Sequence, residues 1–288
     1  MKWVGKLPFH GWIGLLLIAV LWPLNWTLPG ARTQWAFFPL WLGYCLFVDG
    51  QVYWRRGSSL ATRSWSKYLG LFLVSAPAWW LFELLNQRVQ NWVYDGRQLF
   101  TNVEYGILAT LSFSTVVPAV FGTAELIASF DWLPQEKNRP VIRPTRKTTL
   151  GFFIAGWAML ACLLIWPRYC FPLLWLSLYC IMEPVNVWLG NRNLAQATRR
   201  GNWRPILALW LGVLVTAFFW EMWNFYSYPK WIYTIPFVDF WHVFEMPLLG
   251  YGGYLPFALE LHALYHFIVG LLGEKEGAYL RLNRVEKV

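Results

Sequence analysis

The stretch AFFWEMWNFYSYPKWIY, Ala217–Tyr233, decides how the chain is read. It closes an apolar run with the length of a membrane-spanning helix, yet it carries Glu221 and Asn224 where lipid-compatible residues would cost less. An ionised side chain at the centre of a spanning helix costs roughly 2.5–3.5 kcal/mol on insertion scales, and less toward the interface. The stretch WWLFELLNQRVQNWVY, Trp79–Tyr94, does the same with Glu83 and Asn86.

Around these two stretches the composition is that of a membrane protein. Of 288 residues, 57% are hydrophobic and 14% charged, and the mean hydropathy is +0.38. A soluble domain is nearer one quarter charged. The apolar residues form continuous runs rather than the alternation of an outer-membrane barrel. Helices satisfy their own backbone in hydrocarbon, so the expected fold is all-α and polytopic. The runs predict eight transmembrane helices, near 9–26, 35–54, 68–86, 105–130, 150–166, 170–189, 205–223 and 246–272. Pro256 and the glycines at 250, 252 and 253 predict a broken or partly re-entrant last segment.

Charge placement sets an orientation. With a cytoplasmic N-terminus, only Arg32, Arg88, Arg97, Arg168 and Lys230 fall outside, and the other 19 of the 24 Lys and Arg fall inside. This positive-inside bias predicts a multi-pass protein of the cell inner membrane with both termini cytoplasmic. It also accounts for the net charge of +9 without nucleic acid. Lys2 and Lys6 precede an apolar stretch as in a signal peptide. Pro29-Gly30-Ala31 is a poor cleavage pattern, so the first segment is read as retained.

The chain also repeats itself. Trp22-Pro23 and Trp166-Pro167 close the first and fifth spans, and Tyr44-Cys45 corresponds to Tyr179-Cys180. LATR at 60–63 corresponds to LAQATRR at 194–200, and Trp92-x-Tyr94 to Trp231-x-Tyr233. Glu83 and Asn86 correspond to Glu221 and Asn224, and Glu104 to Glu245. This gives a first four-helix repeat over 1–130, a cytoplasmic linker over 131–149 and a second repeat over 150–288. Four spans being an even number, the repeats are parallel. Proteins built this way place their site between the repeats.

The expected site is a set of four carboxylates, Glu83, Glu104, Glu221 and Glu245, converging near the outer leaflet. Asn86 and Asn224 lie one turn after their glutamates, on the same face. Glu125 and Glu260 sit deeper, where a carboxyl is neutral or paired. For Asp49 and Glu183, pairing with Arg55, Arg56 and Arg192 at helix ends is the simplest reading. His262 and His266 are spaced to chelate on one helical face, and His242 is three residues from Glu245. Hydrogen-bonded structure is the commoner role for such histidines, so no metal is assigned. The four cysteines form no CxxC pair. The chain has no Walker loop, HExxH or G-x-S-x-G, and GYGGY at 250–254 lacks the flanking strand of a dinucleotide site. No cofactor is assigned.

Trp220-Glu221, Trp231-x-Tyr233, Pro236 and LLGYGGYLPFALE at 248–260 resemble the heterodimeric, fungal-type lycopene cyclase domain. That family has W-D at a helix end, then W-x-[YF], then a glycine-containing helix ending in L-P-L-E-E. Here Glu221 replaces the Asp, and Glu260 stands alone where the family has an acidic pair. The resemblance covers about 40 residues in each half. It implies tandem membrane modules acting on a long polyisoprenoid without redox change. A glutamate in an apolar pocket can serve as the acid, and Trp and Tyr faces can stabilise the cation. On this expectation Glu221 or Glu245 is the acid, and Glu83 and Glu104 are its counterparts. Asn86 and Asn224 orient the carboxyls, and Trp220, Trp231, Tyr233 and Glu260 line the substrate site. The expected partners are membrane lipids and a hydrophobic isoprenoid-like substrate. A proton- or cation-coupled transporter and a non-catalytic membrane scaffold are the alternatives. Oligomeric state is not legible in the sequence.

Overall fold

The structure, a computed structural model, describes residues 6–134, 140–274 and 279–283. Lys2, Lys137, Arg139, Lys275, Arg284 and Lys287, all part of the charge-placement argument, lie outside the described residues, as does 135–139 of the expected linker.

The chain is mainly helical. The principal helices are α1 (Phe9–Thr27), α2 (Thr33–Arg56), α3 (Trp65–Val89), α4 (Asn102–Phe113), α5 (Val116–Ala128), α6 (Arg146–Ile165), α7 (Leu174–Leu189), α8 (Arg204–Phe225) and α9 (Tyr254–Leu271). Counting α4 and α5 as one span, seven segments among the described residues are long and apolar enough to cross a membrane. Apolar side chains such as Phe9, Leu73 and Ile154 stand exposed on them, as suits a multi-pass membrane protein facing lipid. The eighth long helix, α2, has 24 residues but is less apolar, because it carries Asp49, Gln51, Arg55 and Arg56. It packs between α1 and α5.

The segment ends differ from expectation for local reasons. The span expected over 105–130 is two helices, because Pro118 has no amide hydrogen for the Ser114 carbonyl. Ser75 fills the gap: its hydroxyl donates to the Phe113 carbonyl (2.6 Å) and accepts from the Val117 amide (3.0 Å). The last span is broken as expected, with a 3-10 segment, Leu248–Gly253, leading into α9. Trp22-Pro23 does not close the first span, since α1 continues through Pro23 to Thr27. Trp166 does cap α6, and Pro167 opens a one-turn helix.

Helix packing recurs in the same geometry at two places. A Cβ on Gly14 of α1 would run into the Phe47 amide and lie 2.5 Å from the Gly43 carbonyl of α2. On Gly156 of α6 it would lie 2.9 Å from the Ile181 amide and 2.9 Å from the Ser177 carbonyl of α7. Small residues let helices approach this closely in lipid. The α2 and α7 partners are offset by 134 residues and the glycines by 142; the next two carboxylates also carry the offset of 134. Asp49 accepts from the Ala61 amide (3.0 Å) at the start of the one-turn helix Leu60–Arg63. Glu183 accepts from the Ala195 amide (2.8 Å) at the start of Ala195–Thr198. These two acids therefore cap helices, rather than pairing with arginine as expected.

Two short antiparallel ladders complete the fold. β1 (Trp92–Asp95) pairs with β2 (Lys230–Tyr233), and β3 (His242–Val243) with β4 (Met246–Pro247). The first ladder joins chain regions some 140 residues apart, with Trp92 opposite Tyr233 and Tyr94 opposite Trp231.

Candidate functional site

Glu83 and Glu221 end α3 and α8 on the side of the β1–β2 ladder. Each is held by aromatic donors. Glu83 Oε1 accepts from Trp79 Nε1 (3.0 Å), Trp92 Nε1 (3.0 Å) and the Tyr94 hydroxyl (2.6 Å). Glu221 Oε1 accepts from the hydroxyls of Tyr233 (2.7 Å) and Tyr254 (2.6 Å). Glu221 is fully buried, and its Oε2 has no partner. Glu83 is half-buried and borders a polar hollow with Gln87 and Gln90. Burial, with the neighbouring glutamate charge next in size, pushes the hydroxyls of Tyr94 and Tyr233 well above the ordinary tyrosine range, so both remain donors.

One helical turn after each glutamate, an asparagine fastens the strand that brings the tyrosine back. Asn86 Nδ2 donates to the Trp92 carbonyl (2.8 Å), and its Oδ1 accepts from the Asn91 amide (2.9 Å). Asn224 Nδ2 donates to the Trp231 carbonyl (2.7 Å), and its Oδ1 accepts from the Trp231 amide (3.0 Å). The expectation that these asparagines orient the carboxyls is corrected. Their hydrogen bonds go to the backbone, and it is the strand that positions the carboxylate's donors.

The two cradles flank one apolar cavity of about 340 Å³. Its wall carries Trp79, Trp92 and Tyr94 from the Glu83 cradle, and Tyr233 and Tyr254 from the Glu221 cradle. Trp175, Trp220, Trp231 and Phe257 add further aromatic faces. The volume is within the range of small-molecule sites. Large rings lock the wall in place. Trp41 lies 5.4 Å from Trp220, centroid to centroid, and Trp175 stacks on Phe82 at 5.7 Å.

Of the expected site residues, Trp220, Trp231 and Tyr233 line this cavity, and Glu83 and Glu221 sit behind its wall. The other two carboxylates do not join them. Glu104 is exposed and forms a capping box with Thr101 at the start of α4, accepting from its amide and hydroxyl (both 2.8 Å). Glu245 is paired with Lys230. A carboxylate within the first turn of a helix is favoured there by the backbone, which explains why Glu104 turns back to the amide of the N-cap Thr101. Glu260 is buried in α9, where Oε1 accepts from the Leu178 amide (3.1 Å). It does not line the cavity. Glu125 forms a buried pair with Arg63 (2.7 Å).

His262 and His266 are buried with their rings 4.4 Å apart, and His242 meets Asp239 (2.8 Å). Among the described residues, no group of three or more His, Cys, Asp or Glu is placed to hold a metal ion.

Sequence reasoning did not assign Trp79, Trp92, Tyr94 or Tyr254 to the site. For Trp92 and Tyr94 the signal was present, since they are the partners of Trp231 and Tyr233 in the repeated Trp-x-Tyr. For Tyr254 there was none, because no repeated motif includes it. Comparison of the chain with protein-family models, with curated proteins and with solved structures returns no match.

Proposed function

We propose that the protein is an inner-membrane enzyme of two parallel four-helix repeats that isomerises or cyclises a long apolar, isoprenoid-like substrate by proton transfer. Eight helices cross the bilayer, counting α2 and joining α4 to α5. Both termini are cytoplasmic, and the β1–β2 ladder faces outward. The repeat reading is supported by features that survive exchange of the halves. Equating Trp92 with Trp231 and Tyr94 with Tyr233 maps the ladder onto itself, as a twofold axis through Val93 and Ile232 requires. The glycine contacts, the capped one-turn helices and the Trp41–Trp220 and Trp175–Phe82 ring pairs match in the same way.

The observation that carries the function is the pair of carboxylate cradles whose aromatic donors form the wall of one apolar cavity. Isomerisation requires a proton given at one carbon and another taken elsewhere. A hydroxyl of the cavity wall, Tyr233 or Tyr254, gives its proton to an alkene carbon and takes one from the Glu221 carboxyl behind it, forming a C–H bond and consuming a π bond. The carbocation is held by the surrounding Trp and Tyr faces. It closes onto a second double bond or shifts, and loss of a proton from a neighbouring carbon back through the wall tyrosine to the Glu221 carboxylate restores an alkene and the protonated Glu221. Atoms balance and no redox partner is used. Glu83 borders the polar hollow, whereas Glu221 is buried and exchanges its proton with water while the cavity holds no substrate.

The test is incubation of membranes containing the protein with linear polyenes in deuterated water. A product of the same formula carrying one deuterium is expected, and it is lost in Glu221→Gln. Tight retention of polyenes with no product from the unaltered protein would replace catalysis by carriage.

A further inference from the structure

Among the residues of the cavity wall, Gln34, Pro172 and Leu249 are themselves exposed. Pro172 and Leu249 belong to one mouth. α7 and α9 run side by side in the same direction, from Trp175 beside Gly253 to Asn191 beside Gly270. Pro172 lies one turn before Trp175, and Leu249 one turn before Gly253. Further out, the Tyr169 ring stacks on Phe237 at 5.8 Å. The opening is thus closed on one side by Trp175 against Gly253 and on the other by Tyr169 against Phe237, and its rim is apolar. The surface outside it is apolar as well. α6, antiparallel to α7, ends at this level with Leu164, Ile165 and its cap Trp166 exposed. The segment 234–247, which holds the β3–β4 hairpin, has two apolar faces. Ile235, Val238 and Met246 line the cavity, while Phe237 and Trp241 turn outward, 61% and 77% exposed, on left-handed backbone (φ 65° and 50°). That backbone is unfavourable for a residue with a Cβ, and a ring held outward in water gains nothing in return.

We propose that the cavity opens sideways into the bilayer between Pro172 and Leu249, with the hairpin lying in the lipid boundary on the ladder side as the lip of that mouth. The proposal rests on the reading of the cavity as a substrate site and states where the substrate comes from: it is dissolved in the lipid, not in the water. Lipid is the occupant of the hairpin's outer face because that face continues the exposed apolar surface of α6, a segment long and apolar enough to span. Trp and Tyr rings favour the boundary between hydrocarbon and water. The hydrogen-bonded Asp239 and His242 (2.8 Å) give the hairpin a polar edge at the level of the headgroups. An apolar chain entering here never exposes its surface to water. The polar Gln34 stands at the other end of the ladder: Phe37, one turn on, meets Trp231, whereas Trp175 meets Trp92. Water and lipid thus reach the cavity from different sides.

The experiment uses the full chain in nanodiscs of phosphatidylcholine. Benzoylphenylalanine is placed at Trp241 and, for reference, at Gln87 in the polar hollow, and each variant is photolysed. Position 241 is expected to give adducts with lipid acyl chains at about tenfold the yield of position 87. Equal yields overturn the proposal, as do adducts of position 241 with a second copy of the chain in place of lipid, which would make the face a subunit contact. In the second arm a diazirine analogue of farnesol is added to the discs and photolysed at increasing times, and the label reaching the wall peptide around Trp220 is counted. Leu249→Trp crowds the mouth and should lengthen the half-time about tenfold while the plateau stays within about twofold. Pro172→Trp crowds it from the opposite rim and should do the same. Gly252→Trp, on the same 3-10 segment but with open space around it, should change neither quantity. Half-times unaltered by both rim variants overturn the proposal, and so does an equal delay in Gly252→Trp. If the analogue never labels the wall of the unaltered chain, the cavity reading itself fails, and this proposal with it.

Discussion

Replacing Asn86 or Asn224 by alanine tests how the site is held. Each asparagine is buried and spans the start of a strand with a donor and an acceptor. For Asn224 these reach the Trp231 carbonyl at 2.7 Å and its amide at 3.0 Å; for Asn86 they reach the Trp92 carbonyl at 2.8 Å and the Asn91 amide at 2.9 Å. Two hydrogen bonds contribute roughly 1–3 kcal/mol net, and backbone groups left buried without partners add roughly 1–3 kcal/mol for each one that finds no water. A loss of about 2–4 kcal/mol is therefore expected for each single variant, larger at Asn224, which is 0% exposed against 8% for Asn86. Both strands belong to one ladder, so the second substitution acts on a ladder already loosened. The double variant should fall short of the sum by at least about 0.5 kcal/mol. Equilibrium unfolding in mixed micelles gives the energies, and amide hydrogen exchange over 91–95 and 230–234 locates them. Single losses below about 1 kcal/mol, with additivity in the double variant, would mean that the asparagines are not what fastens the strands.

Gly212 of α8 touches the backbone of Ala124 in α5, where a new Cβ would meet Cα and N at 2.6 Å. Gly212→Val should separate the two helices and lower the unfolding midpoint by more than Gly151→Val, a position with open space around it; equal shifts would contradict the close approach. Arg63→Ala leaves the fully buried Glu125 unpaired and should cost about 3–5 kcal/mol in unfolding experiments, while Arg63→Ala combined with Glu125→Leu recovers most of that loss. Tyr254→Phe and Tyr233→Phe each remove one of two donors to the same Glu221 oxygen. In the deuterium assay each should slow product formation about tenfold or more, and the pair should be slowed by less than the product of the two factors; unaltered rates would remove the tyrosines from the proton-transfer site.

The membrane character and most of the helix positions were legible because hydrocarbon imposes continuous apolar runs of fixed length, and the chain obeys that constraint. The helix breaks were harder to read. Pro118 interrupts α4–α5 only because Ser75, some 40 residues away, satisfies the freed backbone groups. In the site, repetition pointed to Glu83, Glu221 and the Trp-x-Tyr strands, since duplicated residues have matching partners. The same rule misplaced Glu104 and Glu245. Their spacing repeats, but one meets the N-cap Thr101 and the other a lysine, and pairing of that kind depends on what the neighbouring element supplies. Tyr254 lies outside every repeated motif, and only the folded chain brings it to Glu221.

The self-matching register of the β1–β2 ladder has a consequence for evolution. Two identical subunits joined by such a ladder would enclose a chamber with identical walls, unable to tell the head of a long molecule from its tail. Covalent fusion lifts that restriction, because each wall can then mutate alone. Trp79 faces one side and Tyr254 the other, and Asn91 stands where the opposite strand has Lys230. On the proposed repeat and substrate, a chain carrying both copies can therefore impose a direction on its guest, which a homodimer of one copy could not do.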